Sequence, residues 1–438
     1  MSDRPDTASV ASHAAEAGPL EGQVAAPVAE QRPVSWLFGL VYLLANLAGN
    51  CVLLPVIIFL IPYQVNLLDP VHHVSSLALV QSVGGVFALL ATPLAGAISD
   101  RSRARLGRRR LWLLIHMLCA CLALLLLRFA PSILVIVAGW SLLQFFGGAL
   151  LTVLQAIIPD RVPLNQRGLI SALVGLAIPL AAVLGGVIVA VIFRSSYLAA
   201  YYPLGAALIA SILLCVLVYR EEPGSVGPAL PFRLKAFLAR FWVNPRQHPD
   251  FAWAFITRLL LFLGYFAVAT YIQYYLKDGL HYEQLFPGKK VLDGTLAVQS
   301  IETLLILICS FGAGWLSDRL GRRKPLVIVA ALLVMLALLT PVVLPTWGGV
   351  QLFAALLGAG YGAYLAVDTA LITQVLPSAA DYGRDLGLIN LALSIPLILS
   401  PALGGLLINS LGYTGLFLVG AGIVLLSALM VLPIKSVR

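Results

Sequence analysis

Long apolar runs alternate with short polar segments along most of the chain. A helix of about 20 apolar residues crosses the ~30 Å hydrocarbon core of a bilayer, and twelve runs reach that length. Because a backbone in lipid must satisfy its hydrogen bonds internally, these runs predict membrane-spanning α-helices. The predicted spans are 36–61, 75–98, 111–130, 132–158, 168–192, 198–219, 252–276, 294–316, 325–343, 349–376, 386–409 and 413–433.

One long polar connector divides these spans into two sets of six. The predicted organisation is a disordered cytoplasmic tail at 1–34, a six-helix bundle at 35–219, a cytoplasmic linker at 220–250, a second six-helix bundle at 251–434 and a cytoplasmic tail at 435–438. Within the linker, 233–242 alternates basic and apolar residues at helical spacing. That pattern fits either an interfacial helix or a basic juxtamembrane loop.

The two sets of spans are related in sequence. Three landmarks of the first half recur in the second, 217 or 218 positions later: Gly96 with Asp100 and Arg101 as Gly314 with Asp318 and Arg319, the run 157–159 as 375–377, and Arg167 with Pro179 as Arg384 with Pro396. A constant spacing of separate landmarks indicates gene duplication, as in transporters built from parallel repeats. The paired prolines predict kinks in spans 5 and 11.

Composition supports a membrane protein. The 438 residues are 60% hydrophobic and 11% charged, whereas soluble domains carry about 25% charged residues. With a mean hydropathy of +0.96, lipid must cover most of the surface. The five cysteines lie in apolar runs with no metal-site or disulfide spacing. The sequence also has no zinc-helix motif and no P-loop, so we expect no metal and no cofactor.

The positive charge is distributed by topology. Most of the 28 Lys and Arg residues fall in the tails and in the loops that follow even-numbered spans. The opposite loops and the span ends next to them hold Arg128, Arg194, Lys277, Lys289 and Lys290. The positive-inside rule therefore predicts that both termini are cytoplasmic. The short loops and compact length fit an inner or plasma membrane. The basic residues form no stripe interleaved with aromatic residues, so we expect no nucleic-acid partner, and we expect a monomer.

The loops after spans 2 and 8 carry matching motifs. They read Gly96-x-x-x-Asp100-Arg101-x-Arg103-x-Arg105-x-Gly107-Arg108-Arg109-Arg110 and Gly314-x-x-x-Asp318-Arg319-x-Gly321-Arg322-Arg323-Lys324. Two copies at these positions resemble the signature loops of the major facilitator superfamily, and the resemblance covers nearly all of the chain. It implies an all-α fold of twelve transmembrane helices in two pseudo-symmetric six-helix bundles around a central cavity.

The resemblance also implies a cytoplasmic gate at these loops. Gly96 and Gly314 would let helices approach closely, and Asp100 and Asp318 would meet arginines or a helix N-terminus. Asp160 is the expected partner of Arg101 or Arg108. The alternative is that the arginines only set topology and bind anionic lipid. The remaining candidate gate residues are Arg167, Arg319, Arg322 and Arg384 with the loop glycines Gly107 and Gly321.

The long first loop, followed by Trp112, is most similar to the glycoside–pentoside–hexuronide:cation symporters and the related sucrose–proton symporters. Those families often place Pro after the arginines, where this chain has Leu111. Sodium-coupled members carry acidic residues in spans 2 and 4, and here both spans lack them. The resemblance therefore does not extend to a sodium site.

Three ionisable residues lie inside predicted spans of the second half: Arg258 in span 7, Glu302 in span 8 and Asp368 in span 10. Each costs about 2.5–3.5 kcal/mol at a helix centre on insertion scales. At ~1.5 Å per residue, Arg258 and Asp368 lie at similar depth and could pair. Glu302 lies nearer the midplane, where desolvation favours its protonated form. Approach of Arg258 in one conformation would expel that proton, whereas a static ion pair that fixes packing is the alternative.

The first half supplies neutral polar groups instead. Asn46 and Asn50 share one helical face, and Gln144 lies in span 4; each could meet a polar substrate or bond another helix. In span 7, Tyr265 could stack on a substrate ring. Tyr271, Tyr274 and Tyr275 could do the same, although tyrosines at the outer end of that span fit the interfacial aromatic belt more simply.

Two smaller features give less specific signals. The Gly358-x-Gly360-x-Gly362 run in span 10 lacks the preceding strand of a nucleotide-binding loop, so it indicates close helix packing or a bend. His72 and His73, in the first outer loop, are a weak signal of a metal or pH-sensing site.

The sequence as a whole predicts a secondary active transporter rather than an enzyme. We expect alternating access and proton-coupled symport of a polar or sugar-like small molecule, with membrane lipid around it. A proton-driven exporter of drugs or metabolites is one alternative. A lipid flippase or a non-transporting scaffold on the same fold is another.

Overall fold

The computed structural model describes residues 33–99, 107–192, 194–219, 246–375 and 382–434. Eleven of its helices are long and apolar enough to cross a membrane. The last of them is about two spans long and is interrupted at Gly412, whose φ of 70° and ψ of −175° are not helical. Glycine adopts positive φ at little cost, so the chain turns there and the described helices make twelve crossings.

We number the crossings α1 to α12 in chain order. Their bounds are Trp36–Leu68, His73–Ser99, Arg108–Arg128, Ile133–Arg161, Leu164–Ile192, Tyr197–Val218, Pro249–Gly279, Val291–Leu320, Arg323–Val343, Trp347–Val375, 382–411 and 413–430. The all-α fold with twelve membrane crossings is confirmed.

Several helices are longer than predicted, most clearly α1, which continues from 61 to Leu68. A π-helical turn at Val56–Leu60 joins its two α-helical segments. Gln64 does not end the helix because its amide donates to the carbonyl of Leu127 at 2.7 Å and accepts from the Tyr201 hydroxyl at 3.1 Å. A polar side chain with both groups satisfied is tolerated in the bundle.

Parts of the predicted organisation fall outside the described residues. They are 1–32 of the first tail, 220–245 of the linker, including 233–242, and the tail at 435–438. The prolines expected to kink α5 and α11, Pro179 and Pro396, both lie inside their helices, where each removes one backbone hydrogen-bond donor.

The two halves repeat one packing scheme. In the first half α1 packs on α5 and α2 on α4; in the second, α7 packs on the α11–α12 segment and α8 on α10. The halves meet along two seams, α2 with α11 and α5 with α8. At the first seam a Cβ on Gly85 would lie 3.2 Å from the Cα of Ile398, so glycine allows backbone contact there.

Following the predicted orientation, we call the end of the bundle that holds Val34, Tyr219 and Ile434 the inner end. Hydrogen bonds that join elements there include one from the Val34 amide to Gln166 at 2.8 Å and one from Lys324 to the Ile434 carbonyl at 2.9 Å. The opposite end is the outer end.

Candidate functional site

The structure brings the two buried charges of α7 and α10 together. Nη1 of Arg258 lies 3.3 Å from Oδ2 of Asp368, with side-chain exposures of 12% and 5%. The Arg258 guanidinium also lies over the ring of Phe262, 5.6 Å from its centroid. A cation over an aromatic face is attracted by the ring quadrupole. The pairing predicted from depth is therefore observed, and it is nearly dehydrated.

Glu302 on α8 is buried and bonded to a tyrosine. The hydroxyl of Tyr265 donates to Oε1 of Glu302 at 2.5 Å, and Glu302 is 6% exposed. Among the described residues, Glu302 takes part in no ion pair. The carboxyl group thus occupies a site of low polarity with one hydroxyl donor, an environment that penalises its charged form.

Aromatic rings connect these two polar groups. Tyr265 stacks on Tyr361 of α10 with ring centroids 4.2 Å apart and planes 7° apart. Phe262 meets Tyr361 edge to face at 6.0 Å. A continuous path of contacts therefore runs from Asp368 through Arg258, the rings and Tyr265 to Glu302, across α10, α7 and α8.

The glycines of α10 set the position of Glu302. A Cβ on Gly358 would lie 2.3 Å from the carbonyl oxygen of Glu302, and one on Gly362 would lie 2.4 Å from that of Ile306. On another side of the helix, Gly360 would clash with the backbone of α9 at Val334. Close packing, one of the two interpretations of this run, is what the structure shows.

The candidate amide side chains of the first half differ in whether another group already bonds them. Asn46 donates to the Tyr42 carbonyl at 2.9 Å and Asn50 to the Asn46 carbonyl at 2.8 Å, both within α1. These amide donors are bonded to their own helix and not across helices. Gln144 on α4 is half-buried, and no described residue bonds its side chain.

The two gate glycines that follow spans 2 and 8 have the backbone conformation that favours glycine. Gly107 precedes α3 with φ of 105°, and Gly321 follows α8 with φ of 61°. Each lies just before the arginine-rich start of the next helix. Despite the different loop lengths, both copies therefore turn on a glycine.

Other gate predictions are met only in part. Asp100 and Arg101 lie outside the described residues, as do the side chains of Arg108 and Arg384. Asp318 and Arg322 are exposed, and Arg319 lies over the ring of Trp315 at 5.3 Å. Arg167 donates to the carbonyls of Val162 and Pro159 at the end of α4.

The close approach expected at Gly96 and Gly314 is not found in this conformation. A Cβ on Gly96 would meet no described atom within 4 Å, and one on Gly314 only Ala366 at 3.9 Å. Among the described residues, the glycine contacts between the halves lie instead at Gly85, Gly186 and Gly405.

An arginine that we did not single out bonds the predicted gate carboxylate. Nε of Arg109 lies 2.9 Å from Oδ2 of Asp160, and its Nη1 donates to Ser99 Oγ at 2.7 Å. Arg109 is 5% exposed. One guanidinium therefore joins the ends of α2, α3 and α4. The sequence does not single out Arg109, because it is the middle one of three consecutive arginines.

The outer end joins the two halves. Every hydrogen bond and ion pair between halves that links two described residues lies in the outer part of the bundle. The pairs are His73 with Asp278, Lys277 with Asn66, Asn409 with Ser75, Arg194 with Asp293 and Gly288, Tyr271 with Val74, Tyr274 with Pro62, and Thr270 with Gln81. The conformation is closed at the outer end.

The aromatic-belt interpretation of span 7 is wrong. Tyr271, Tyr274 and Tyr275 are 1%, 1% and 6% exposed. The hydroxyl of Tyr271 donates to the Pro401 carbonyl at 2.7 Å, and that of Tyr274 to the Pro62 carbonyl at 3.0 Å. These hydroxyls are satisfied by helix carbonyls next to or across the seam, not by an interface with water.

Comparison with solved structures supports the architecture. The chain is similar to crystal structures of the nucleoside transporter NupG in mutant and unmutated forms, with TM-scores of 0.75 and 0.72. The alignments cover 91% and 92% of this chain and 99% and 100% of those chains, at 12% and 14% identity. At such identity the likeness is one of fold.

Comparison by sequence gives curated relatives over most of the chain. The multidrug resistance protein MdtG of Enterobacter lignolyticus is 26% identical over 362 residues, and that of Klebsiella pneumoniae 25% over 371. Each alignment covers 80% of this chain and 80% or 81% of the relative. The family model of the Major Facilitator Superfamily matches residues 35–301 and 294–437. With two related halves, twelve crossings and this match, the chain belongs to the Major Facilitator Superfamily of membrane transporters.

Proposed function

We propose that the chain is a proton-coupled secondary transporter of small organic molecules that works by alternating access, with export as its direction. The observation that carries the proposal is the state of Glu302: a buried carboxyl group with one hydroxyl donor, beside a separate buried ion pair. Buried ionisable groups inside spans are costly and mark ion or substrate pathways.

The contacts suggest how the proton couples to movement. In the outer-closed conformation Arg258 holds Asp368, and Glu302 is left to Tyr265. Because Glu302 is buried without a described cation beside it, its protonated form is favoured over its charged form. For export, the proton is taken up from the outer side while the outer end is open, and it is carried on Glu302 into this conformation. Arg258 then shifts toward Glu302 past the Phe262 and Tyr361 rings, stabilises its carboxylate and releases the proton at the inner side, so that the proton moves inward as the solute moves outward.

Two observations favour export of aromatic or cationic compounds. The rings of Tyr265 and Tyr361 lie beside a carboxyl group, which is a combination that attracts organic cations. The relatives that align over most of the chain are named multidrug resistance proteins. The first point is chemistry that suits an exporter of organic cations, and the second is a likeness to proteins named for drug resistance.

Uptake of a polar or sugar-like solute by symport is the second candidate. It is favoured by the Gln144 side chain, which no described residue bonds, and by the long arginine loop that resembles the sugar symporter branch. A free amide can donate to and accept from hydroxyl groups.

Purified protein in liposomes with an internal pH-sensitive dye would separate these candidates. The probes are ethidium, uridine and sucrose, each tested with the proton gradient in both directions. Antiport predicts ethidium accumulation when the lumen is acidic, with protons leaving. Symport predicts uridine or sucrose accumulation when the outside is acidic.

A parallel assay of fluorescent lipid translocation tests the alternative that the protein is a lipid flippase. Lipid scrambling without solute movement would indicate a flippase. If neither solutes nor lipids respond to the gradients, the transport proposal is wrong and a scaffold role is favoured.

A further inference from the structure

A histidine at the outer seam lies between two acceptors. Nδ1 of His73 is 2.8 Å from the Pro70 carbonyl oxygen, and its Nε2 is 2.9 Å from Oδ2 of Asp278. A carbonyl and an ionised carboxylate only accept, and a neutral imidazole has one N–H. Both contacts are hydrogen bonds only when the pair carries one additional proton, either as imidazolium with carboxylate or as imidazole with carboxylic acid.

The rest of the cluster is built around Asp278. Its Oδ2 also accepts from the Tyr413 hydroxyl at 3.0 Å, and Nζ of Lys277 lies 3.4 Å from its Oδ1. Lys277 donates to Asn66 of the other half at 2.6 Å. Lys277 and Asp278 lie on a π-helical turn, Tyr275–Gly279, a form often found at functional sites.

The remaining titratable groups near His73 are already engaged or face away. Tyr274 meets the His73 ring edge to face at 4.6 Å and donates its hydroxyl to Pro62. Asp69 accepts from the Ser76 hydroxyl at 2.6 Å and from the His72 amide at 3.0 Å. The His72 side chain is 75% exposed, whereas that of His73 is 14% exposed.

The two partners belong to different halves. His73 begins α2 in the first half and Asp278 ends α7 in the second. Their contact exists while the outer end is closed and is lost when the halves separate there. A proton bound by the pair is therefore linked to closure.

We propose that His73 and Asp278 form a proton-binding site that exists only in the outer-closed conformation, so that protons from the outer side favour closure. This rests on the proposed alternating access and adds a second proton site, far from Glu302 at the outer surface. One linked proton changes the ratio of closed to open molecules by at most about tenfold per pH unit. Closure is favoured at low pH and is lost as the pH rises.

Distances between spin labels at the outer ends would test this. The labels replace exposed prolines in equivalent loops, Pro131→Cys and Pro345→Cys, after replacement of the five native cysteines. Double electron–electron resonance is then recorded from pH 5 to pH 8 without substrate. We expect the short distance at low pH and a growing long-distance population at high pH.

Variants assign the effect. His73→Gln and Asp278→Asn keep hydrogen-bonding groups but cannot hold the shared proton, so the distance distribution should no longer change with pH. His72→Gln is the matched control and should respond as the parent does. Size-exclusion chromatography checks that each variant is folded.

Two results would overturn the inference: a parent protein whose distances do not change with pH, or a His73→Gln variant that responds like the parent. The measurement needs no substrate, so it is independent of the transport assay. A pH-dependent outer end in a protein that moves no solute would contradict the proposed function and leave this site standing.

Discussion

Nη1 of Arg258 on α7 lies 3.3 Å from Oδ2 of Asp368 on α10, in a region that the bundle almost closes to water. Arg258 and Asp368 belong to different helices of one half. The pair can therefore either hold the half together or take part in coupling, and the two roles predict different outcomes for substitution.

Removing one partner leaves an uncompensated buried charge. We expect Asp368→Leu or Arg258→Met alone to lower the free energy of unfolding by about 3–5 kcal/mol, and the double variant to recover most of that loss, because an apolar pair needs no desolvated partner. Thermal unfolding in detergent measures this. A double variant that is stable and still couples transport to protons would limit the pair to packing.

The glycine contact between α10 and α8 gives a second prediction. Gly358→Ala places a methyl group against the Glu302 carbonyl, and overpacking of this kind costs about 1–3 kcal/mol. We expect lower thermal stability and weaker proton-coupled transport, because Glu302 is displaced. Gly175→Ala, where a Cβ meets no described atom within 4 Å, is the control. Equal behaviour of the two variants would contradict this account of α10.

A third prediction concerns Arg109 at the inner end, where the planar shape of the guanidinium allows two hydrogen bonds at once. Arg109 bonds Asp160 and Ser99 at once, and a lysine cannot form that planar fork. Hydrogen bonds to charged groups contribute about 1.5–3 kcal/mol, so Arg109→Lys should be less stable by an amount in that range. Arg322→Lys, at an exposed position of the other half, should be neutral. A neutral Arg109→Lys would show that charge alone suffices.

Some of these relationships could be predicted from sequence and others could not. Helical rise places Arg258 and Asp368 at one depth, because a helix of known pitch converts the number of residues from the end of a span into a distance. The same reasoning cannot find Tyr265 as the donor to Glu302, since rotation of neighbouring helices decides it. The contact of His73 with Asp278 depends on how the two halves close against each other, and no local sequence pattern predicts that arrangement.

The glycine run shows why a motif needs its context. Gly358, Gly360 and Gly362 superficially resemble a nucleotide loop, yet in a membrane helix they face two neighbouring backbones. Arg109 shows the opposite case. The sequence does not distinguish three successive arginines. Which of them is buried depends on which face of the helix each one occupies in the folded bundle.

Alternating access predicts that the outer seam must open. Asn409 donates to Ser75 across the seam at 2.9 Å, and both residues are exposed. With cysteines at these two positions, a short reversible thiol cross-linker should abolish transport, and reduction should restore it. Neither single cysteine should respond to the reagent. Undiminished transport by the cross-linked protein would mean that the halves need not separate at this end.

The most direct test of the account compares Glu302→Gln with the parent protein in liposomes, once a transported solute has been found. Gln keeps the hydrogen bond from Tyr265 but cannot bind and release a proton. We predict that the variant still exchanges labelled for unlabelled solute, while accumulation driven by a proton gradient falls to the level of empty liposomes. Gradient-driven accumulation equal to that of the parent would contradict proton coupling through Glu302.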